Sequence, residues 1–438
     1  MAKPEIHLKI EKLNLGAQGI AFINGKVCFV DYVIPGEKIN AEIITEKKDY
    51  SVARIKDIIK PSSARIKPGC QVFGTCGGCQ LQHIDYHDQV ELKRDILKDT
   101  LRHIGKIEVD KIEIVYDNPW HYRNRAQLPV QNHDGLKIGY FKKGTHEVIN
   151  HDICYINQQE INQVLNVLRE RIKKSKIAVY DEIRHQGNLR HIIIRRGTSN
   201  GQLYITFVTR ERALPKSIYD GLVQEIPEIV GISQNINSKK TNRILNDMNV
   251  LLTGRNFYEE ILDSKIFRVH PISFFQVNIP VFEKILDIIK QEIQGSKVID
   301  LYAGVGAIGI CVAPLCKSVM AIEENPEAVK NGIENAQLNS IKNITFLPGK
   351  VEKKFVEIEN ADAVVLDPPR KGTTPQVIEM LGKIGIAKIV YLSCNPATLA
   401  RDASLIICKG YHIKGVYLFD MFPQTYHIEA LMIFERDL

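Results

Sequence analysis

No stretch of apolar residues in this chain approaches the roughly 18 that a membrane-spanning helix needs, so nothing in it reads as a transmembrane segment. The opening residues, Met1-Ala2-Lys3-Pro4-Glu5, carry no apolar signal-peptide core, and a cytoplasmic protein is expected. Internal repeats and low-complexity tracts are missing too. With no secretory signal, the odd count of nine cysteines argues against a disulfide framework and for metal or catalytic use of some thiols.

What is present is a soluble, globular composition: 44% hydrophobic and 25% charged residues over 438 positions. That length suggests about two to four domains. The formal charge is +7, and much of the excess crowds one early segment, at Lys47, Lys48, Arg54, Lys56, Lys60, Arg65 and Lys67. Such a cluster fits a polyanion, because Lys and Arg contacts to phosphates release counterions. A solvated basic face is the plainer alternative.

Short alternating segments around Ile6, Val27 and Ile39, punctuated by Asn24-Gly25 and Pro35-Gly36, predict a small β-barrel ending near residue 65. From Tyr86 to Ile104 apolar residues recur at helical spacing, and Gly105 reads as the helix stop. Between Arg123 and Gly254 strand-like runs mix with one clear helix, Gln158 to Lys173, which favours an α+β middle domain. From about Pro280 onward strands and helices alternate. The runs 297–300, 318–322, 344–347, 363–366 and 389–392 predict a parallel, doubly wound sheet with helices on both faces.

Asp300-Leu301-Tyr302-Ala303-Gly304-Val305-Gly306-Ala307-Ile308-Gly309 reads as a strand, a glycine turn and a helix start, where the backbone passes close under a nucleoside. Glu323, ending the next strand, is placed to accept hydrogen bonds from ribose hydroxyls. The glycines alone fit NAD as well as S-adenosylmethionine. Asp300 at its strand end, followed by Asp367-Pro368-Pro369-Arg370 at the end of the fourth strand, resembles class I methyltransferases and favours S-adenosylmethionine. The paired prolines stiffen a wall for a planar base.

Ser393-Cys394-Asn395-Pro396 follows a β-branched run, so Cys394 and Asp367 both point into the crevice beyond the strand ends. A thiol there is suited to add to carbon 6 of a pyrimidine, making carbon 5 nucleophilic enough to take a methyl from a sulfonium. A buried strand-end cysteine is the bland alternative. Arg370 is a candidate donor to the enolate oxygen that results. Carbon 5 must then lose a proton, and His427 and Glu429 supply an imidazole and a carboxylate two residues apart, either suited to act as base.

Cys70, Cys76, Cys79 and Cys154 make a thiolate set that suits zinc or an iron–sulfur cluster. Their spacing is not the paired C-x2-C of zinc ribbons, which favours a cluster. Cys28, Cys311, Cys316 and Cys408 lie in apolar segments and read as small core residues. Trp120-His121-Tyr122-Arg123-Asn124-Arg125 interleaves cations with aromatics, a mix able to hold phosphates and stack unpaired bases, or else to pack a core.

In this order the DPPR, SCNP and cysteine motifs resemble the RNA (uracil-5-)-methyltransferase family over nearly the whole chain, most closely its iron–sulfur branch acting on 23S ribosomal RNA. The resemblance implies a multidomain α/β protein. Residues 1–65 would be a TRAM-like RNA-binding β-barrel and 66–265 a central α+β RNA-binding domain with the iron–sulfur loop. Residues 266–438 would be a Rossmann-like, S-adenosylmethionine-dependent methyltransferase domain, against which the helix 86–104 packs. The resemblance also implies Gln276, Tyr302, Glu323 and Asp367 as S-adenosylmethionine contacts, Cys394 as nucleophile and Glu429 as base. Cys70, Cys76, Cys79 and Cys154 fall on the ligands of a four-iron four-sulfur (4Fe-4S) cluster.

The expected activity is methylation of carbon 5 of a uridine in 23S rRNA, with transfer RNA as the alternative substrate. The expected actor is a monomer that binds RNA and neither DNA nor membrane. An NAD-dependent iron–sulfur oxidoreductase is one rival, and it leaves the DPPR and SCNP motifs without a role. A non-catalytic RNA-binding protein is the other.

Overall fold

In the computed structural model the described residues, 5–354 and 361–436, build three large sheets and one separate hairpin. The first sheet has six strands, in the spatial order Glu5–Lys9, Lys38–Glu46, Tyr50–Lys60, Lys26–Val30, Gly19–Ile23, Lys12–Leu13. Strand alternation sends Leu8, Ala21, Cys28, Val30, Ile39, Ala41 and Ala53 into a core of its own. Of the basic residues that crowd this segment, Arg54 pairs with Glu42, Lys56 with Glu5, and Arg65 with the buried Glu37. Lys47, Lys48, Lys60 and Lys67 are exposed and have no ion-pair partner among the described residues.

The second sheet runs Val148–Asn150, Leu136–Phe141, Arg125–Asn132, Leu189–Arg196, Leu203–Thr209, Ile229–Ile236, Asn249–Gly254. Its only parallel pair among the described residues joins Leu203–Thr209 to Ile229–Ile236. Helix Gln159–Ser175 covers one face. Its Ile161, Val164, Leu165, Leu168 and Ile172 recur at helical spacing and join Leu128, Ile192, Ile194 and Phe207 in one core.

The third sheet orders Ile344–Pro348, Ser318–Glu323, Lys297–Leu301, Ala363–Leu366, Lys388–Ser393, Glu429–Glu435, His412–Phe419 and Glu113–Val115. The first five strands are parallel, and alternate residues enter two different cores. Ile299, Val364 and Ile389 pack with helices Pro375–Ile384 and Pro396–Ile407, while Val298, Val365 and Val390 pack with Ile279–Ile293 and Ala307–Val312. Burial on both faces explains why these strands are almost continuously apolar. Chain order reverses between Lys297–Leu301 and Ala363–Leu366, which opens a crevice beyond their carboxyl ends.

Helix Tyr86–Thr100 belongs to this unit: Ile96, Leu97 and Leu101 share a core with Leu399 and Ala403. The helical run stops at Gly105 as expected, after a wider last turn over Leu101–Gly105, but the left-handed residue that ends it is the next one. That conformation falls on Lys106 (φ +57°), whereas a Cβ on Gly105 would stand 2.7 Å from the Ala400 carbonyl. The glycine permits close approach of two helices. The expected boundary near residue 265 falls at the tip of the hairpin Tyr258–Leu262 and Lys265–Val269, whose Tyr258, Leu262 and Phe267 share a core with Ile279–Ile293. Cys28, Cys311 and Cys316 are buried as expected, but Cys408 is exposed, because the buried stripe of its helix ends at Ile406. No described helix is long and apolar enough to cross a membrane.

Candidate active site

Three helices of the third sheet begin on a polar cap followed by proline: Asn325-Pro326, Thr374-Pro375 and Asn395-Pro396. The cap side chain accepts an N–H of the first turn, and proline removes another that would go unpaired. This explains the SCNP motif. Ser393 ends a strand, Cys394 is the one residue between strand and cap, and Asn395-Pro396 starts the helix Pro396–Ile407. Asn395 Nδ2 also donates to the Arg370 carbonyl (2.9 Å), fastening the DPPR loop to the Cys394 turn.

Antiparallel pairing matches Ser393 to Ala430, one residue short of Cys394 and Glu429. On the other side Leu366 pairs with Leu301 and with Tyr391, so Asp367 and Tyr302 emerge at the same level. Charges here act on both Cys394 and Glu429. Burial pushes the Cys394 thiol up to about 11, and the Glu429 and Asp367 charges push the same way while Arg370 opposes them. Burial lifts Glu429 well above the ordinary carboxylate range, with Asp367 adding to the rise and Arg370 opposing it. Burial also raises Asp367 to about 7. His427 moves down to about 4, through burial and then the cations of Arg370, Lys93 and Arg123.

Glu323 is held by backbone donors: Oε2 accepts from Gly304 N (2.9 Å) and Oε1 from Asn325 N (2.8 Å), leaving further acceptor capacity on each oxygen. Tyr302 adopts φ +64°, uncommon for an aromatic residue, and its hydroxyl meets Thr373 Oγ1 at 2.8 Å. A Cβ on Gly306 would strike Phe346 at 2.6 Å, whereas one on Gly304 would face open space, where a ligand can approach the backbone. Buried Asp300 accepts from Gly309 N (2.9 Å), and its Oδ1 has no partner among the described residues. Gln276 lies in the loop before helix Ile279–Ile293, and its carbonyl accepts from Asn124 Nδ2 (3.2 Å).

Residues without a motif hold these pieces in place. Lys93 forms a buried ion pair with Asp420 (2.7 Å) and donates to the Phe422 carbonyl (3.2 Å), while the Tyr86 hydroxyl donates to Asp420 Oδ2 (3.0 Å). The sequence signal for this pair is a lysine among Val90, Ile96 and Leu97 on the buried face of a helix. Within the Trp120 to Arg125 stretch, Tyr122 and Asn124 are buried, and the Tyr122 hydroxyl donates to the Pro423 carbonyl (3.1 Å). Part of that motif therefore serves packing.

Cys70, Cys76, Cys79 and Cys154 line one cavity of about 240 Å³, whose wall also includes Arg123, Phe422, Thr425 and His427. Burial pushes the Cys79 thiol up to about 12 and the Cys154 thiol up to about 11, and neighbouring cysteines add to both rises. Among the described residues no three His, Cys, Asp or Glu side chains meet closely enough to hold a single metal ion. The expected ligands are thus four thiols around a shared volume rather than a preformed one-ion site. A wider cleft, about 1060 Å³, lies on the second sheet, and none of the expected site residues lines it.

Residues 249–437 match the family model described as tRNA (Uracil-5-)-methyltransferase. An uncharacterized RNA methyltransferase of Clostridium tetani is 36% identical across 98% of this chain and 95% of its own length. Another, of Listeria monocytogenes, is 38% identical across 98% and 97%. Among solved structures, the tRNA (uracil-54, C5)-methyltransferase of Pyrococcus abyssi, crystallised with S-adenosyl-L-homocysteine, is 27% identical with a TM-score of 0.81, covering 98% of this chain and 100% of that one. Likeness that runs the full length of the relatives, around a crevice that pairs a thiol with carboxylates, makes this chain a member of the RNA (uracil-5-)-methyltransferase family, and thus an RNA methyltransferase.

Proposed function

We propose that the chain transfers a methyl group from S-adenosylmethionine to carbon 5 of a uridine in structured RNA. The observation that carries this reading is the Ser393–Ala430 pair, one residue short of Cys394 and Glu429, with Glu429, Asp367 and Arg370 all close enough for their charges to act on the Cys394 thiol. Gln276, Tyr302, Glu323 and Asp367 hold the cofactor in the crevice, with Glu323 on the ribose. The S-adenosyl-L-homocysteine bound by the Pyrococcus relative supports S-adenosylmethionine as the cofactor.

The resting thiol is protonated, since burial and two carboxylates oppose its ionisation. Arg370 beside it, together with the positive charge a bound sulfonium would supply, favours the thiolate, and the thiol proton passes to solvent water. The flipped-out uridine then receives Cys394 sulfur at carbon 6, and the ring electrons pass through an enolate stabilised by Arg370. Carbon 5 takes the methyl group and S-adenosylhomocysteine leaves. Glu429 accepts the carbon 5 proton, the C–H electron pair restores the ring double bond, and Cys394 departs as thiolate.

We read the cysteine cavity as the seat of a four-iron four-sulfur cluster held by Cys70, Cys76, Cys79 and Cys154. Four soft donors face one volume, and burial keeps the Cys76, Cys79 and Cys154 thiols protonated unless cations bind. A bound cluster would cross-link the 70–79 loop to Cys154, and no step of the transfer needs an electron. We read residues 1–65 as a TRAM-like RNA-binding module, 66–265 as the central RNA-binding domain and 266–438 as the methyltransferase domain.

The cysteine set favours 23S ribosomal RNA as substrate. Transfer RNA is the second reading, favoured by the full-length likeness to the Pyrococcus enzyme. The test is incubation with S-adenosylmethionine and unmodified 23S ribosomal RNA or, separately, transfer RNA, followed by nucleoside mass spectrometry. 5-Methyluridine should appear in one of them. Cys394→Ala should abolish it, and Glu429→Gln should accumulate a protein–RNA adduct on denaturing gels. Product in neither RNA, from protein that binds the cofactor, would discard the reading.

A further inference from the structure

Between strands His412–Phe419 and Glu429–Glu435 the chain makes a detour through residues 420–428, and Phe422, Thr425 and His427 form part of the cysteine cavity's wall. Midway along it, Gln424 is buried with φ +70°, a left-handed conformation uncommon for a side chain of this kind. Several grips hold it there. Its carbonyl accepts from Gln80 N (2.9 Å) and Leu81 N (3.0 Å), the two residues directly after Cys79. Its side-chain Oε1 accepts from Gln89 Nε2 (3.0 Å), on helix Tyr86–Thr100. Gln80 braces the same turn a second time, since its Nε2 donates to the Gly77 carbonyl (2.7 Å) and its Oε1 accepts from Tyr426 N (3.3 Å).

A strained backbone conformation persists only where its surroundings over-determine it, and such strain gathers at functional sites. The strand that follows this turn opens on Glu429. Cys394 and the crevice residues Tyr302, Glu323 and Asp367 sit on other strand ends, which this turn does not carry.

We infer that Gln80, Gln89 and Gln424 are positioning residues for Glu429. The continuation of the cysteine loop and the helix Tyr86–Thr100 lock Gln424 in its left-handed conformation, and the lock sets where the Glu429 carboxylate stands relative to carbon 5. The inference rests on the uracil-5 reading above and deepens it by separating the two halves of the reaction. Forming the adduct needs Cys394 and the cofactor, whereas releasing it needs Glu429.

The experiment is a single turnover on whichever RNA transcript the wild-type chain methylates, quenched in denaturant and resolved on gels for the covalent adduct. Gln89→Met removes the donor to Gln424. Gln424→Ala and Gln424→Gly both remove the acceptor, but only alanine resists the left-handed backbone. Gln89→Met and Gln424→Ala should release the adduct about tenfold more slowly, while adduct formation stays within about twofold of wild type, as expected when a base is displaced and the nucleophile is not. Gln424→Gly should recover much of the loss.

Normal formation of the adduct is itself the proof of folding. Release at the wild-type rate in Gln89→Met and Gln424→Ala overturns the inference, as does a parallel fall in formation and release, or an equal defect in the alanine and glycine variants. A wild-type chain that leaves no 5-methyluridine in either RNA would instead sink the uracil-5 reading beneath it.

Discussion

Asp300 is the penultimate residue of the parallel strand Lys297–Leu301, with one oxygen on Gly309 N and the other without a partner among the described residues. Burial lifts its carboxyl from the ordinary 3.8 to about 8, with the Asp367 and Glu323 charges adding to the rise. In the window between those values the folded chain keeps a proton that the unfolded chain has released. Its contribution to stability is therefore full below the lower value and lost as pH rises through the upper one, by about 1.4 kcal/mol per pH unit for one proton. Asp300→Asn keeps an oxygen for Gly309 N and removes the charge. Urea unfolding without cofactor should show a flatter fall of stability between about pH 5 and pH 8 in the variant than in wild type. Equal slopes would mean that Asp300 ionises in the fold at no cost. Asp300, Cys394 and Glu429 were legible in the sequence because each stands at or beside a strand end, where alternation and the following glycine or proline mark the place. Gln424 was not, because its importance lies in a backbone conformation imposed by Gln80, Leu81 and a glutamine 335 residues away.

At the scale of elements, helix Tyr86–Thr100 acts as a brace between the N-terminal half and the strand that carries Glu429. Lys93 is 1% exposed and Asp420 0%, so the pair sits outside solvent screening. Removing one partner of such a pair leaves a buried charge, which costs about 3–5 kcal/mol. Lys93→Met should therefore destabilise the chain by about that amount in urea unfolding, with the Tyr86 hydroxyl left as the main donor to Asp420. Adding Asp420→Asn to Lys93→Met should recover most of the loss, because the charge is gone. A double variant as unstable as the single one would show that packing of the lysine stem, not the charge, is at stake. The helix was readable from its apolar spacing, and so was its reach toward the catalytic sheet through the family resemblance. Its ion pair was not, since a lysine on an apolar face names no partner. The same blindness explains Cys408: an apolar neighbourhood in sequence does not say where a buried stripe ends.

For the whole molecule, a charge of +7 matters only through where its unpaired cations stand. Lys47 and Lys48 lie in the turn between Lys38–Glu46 and Tyr50–Lys60, whereas Lys60 ends that 11-residue strand and Lys67 follows it. At about 3.3 Å per residue that strand separates the two pairs by roughly 30 Å, so a run of cations close in sequence becomes two poles in space. The Lys60 and Lys67 pole leads directly into the cysteine loop, which shares a cavity with His427 beside the candidate site. An RNA whose target uridine reaches Cys394 would therefore pass this pole, not the Lys47 turn. Removing one lysine–phosphate pairing flattens the dependence of log affinity on log salt by about 0.7–0.9. Lys60→Gln with Lys67→Gln should lower that slope by about 1.4 to 1.8 in filter-binding titrations, and Lys47→Gln with Lys48→Gln should leave it nearly unchanged. Equal reductions at both poles would mean that the RNA spans the whole sheet. No reduction at either would mean that the lysines are a solvated face, and that affinity comes from the aromatic and cationic residues around Trp120, Arg123 and Arg370 instead.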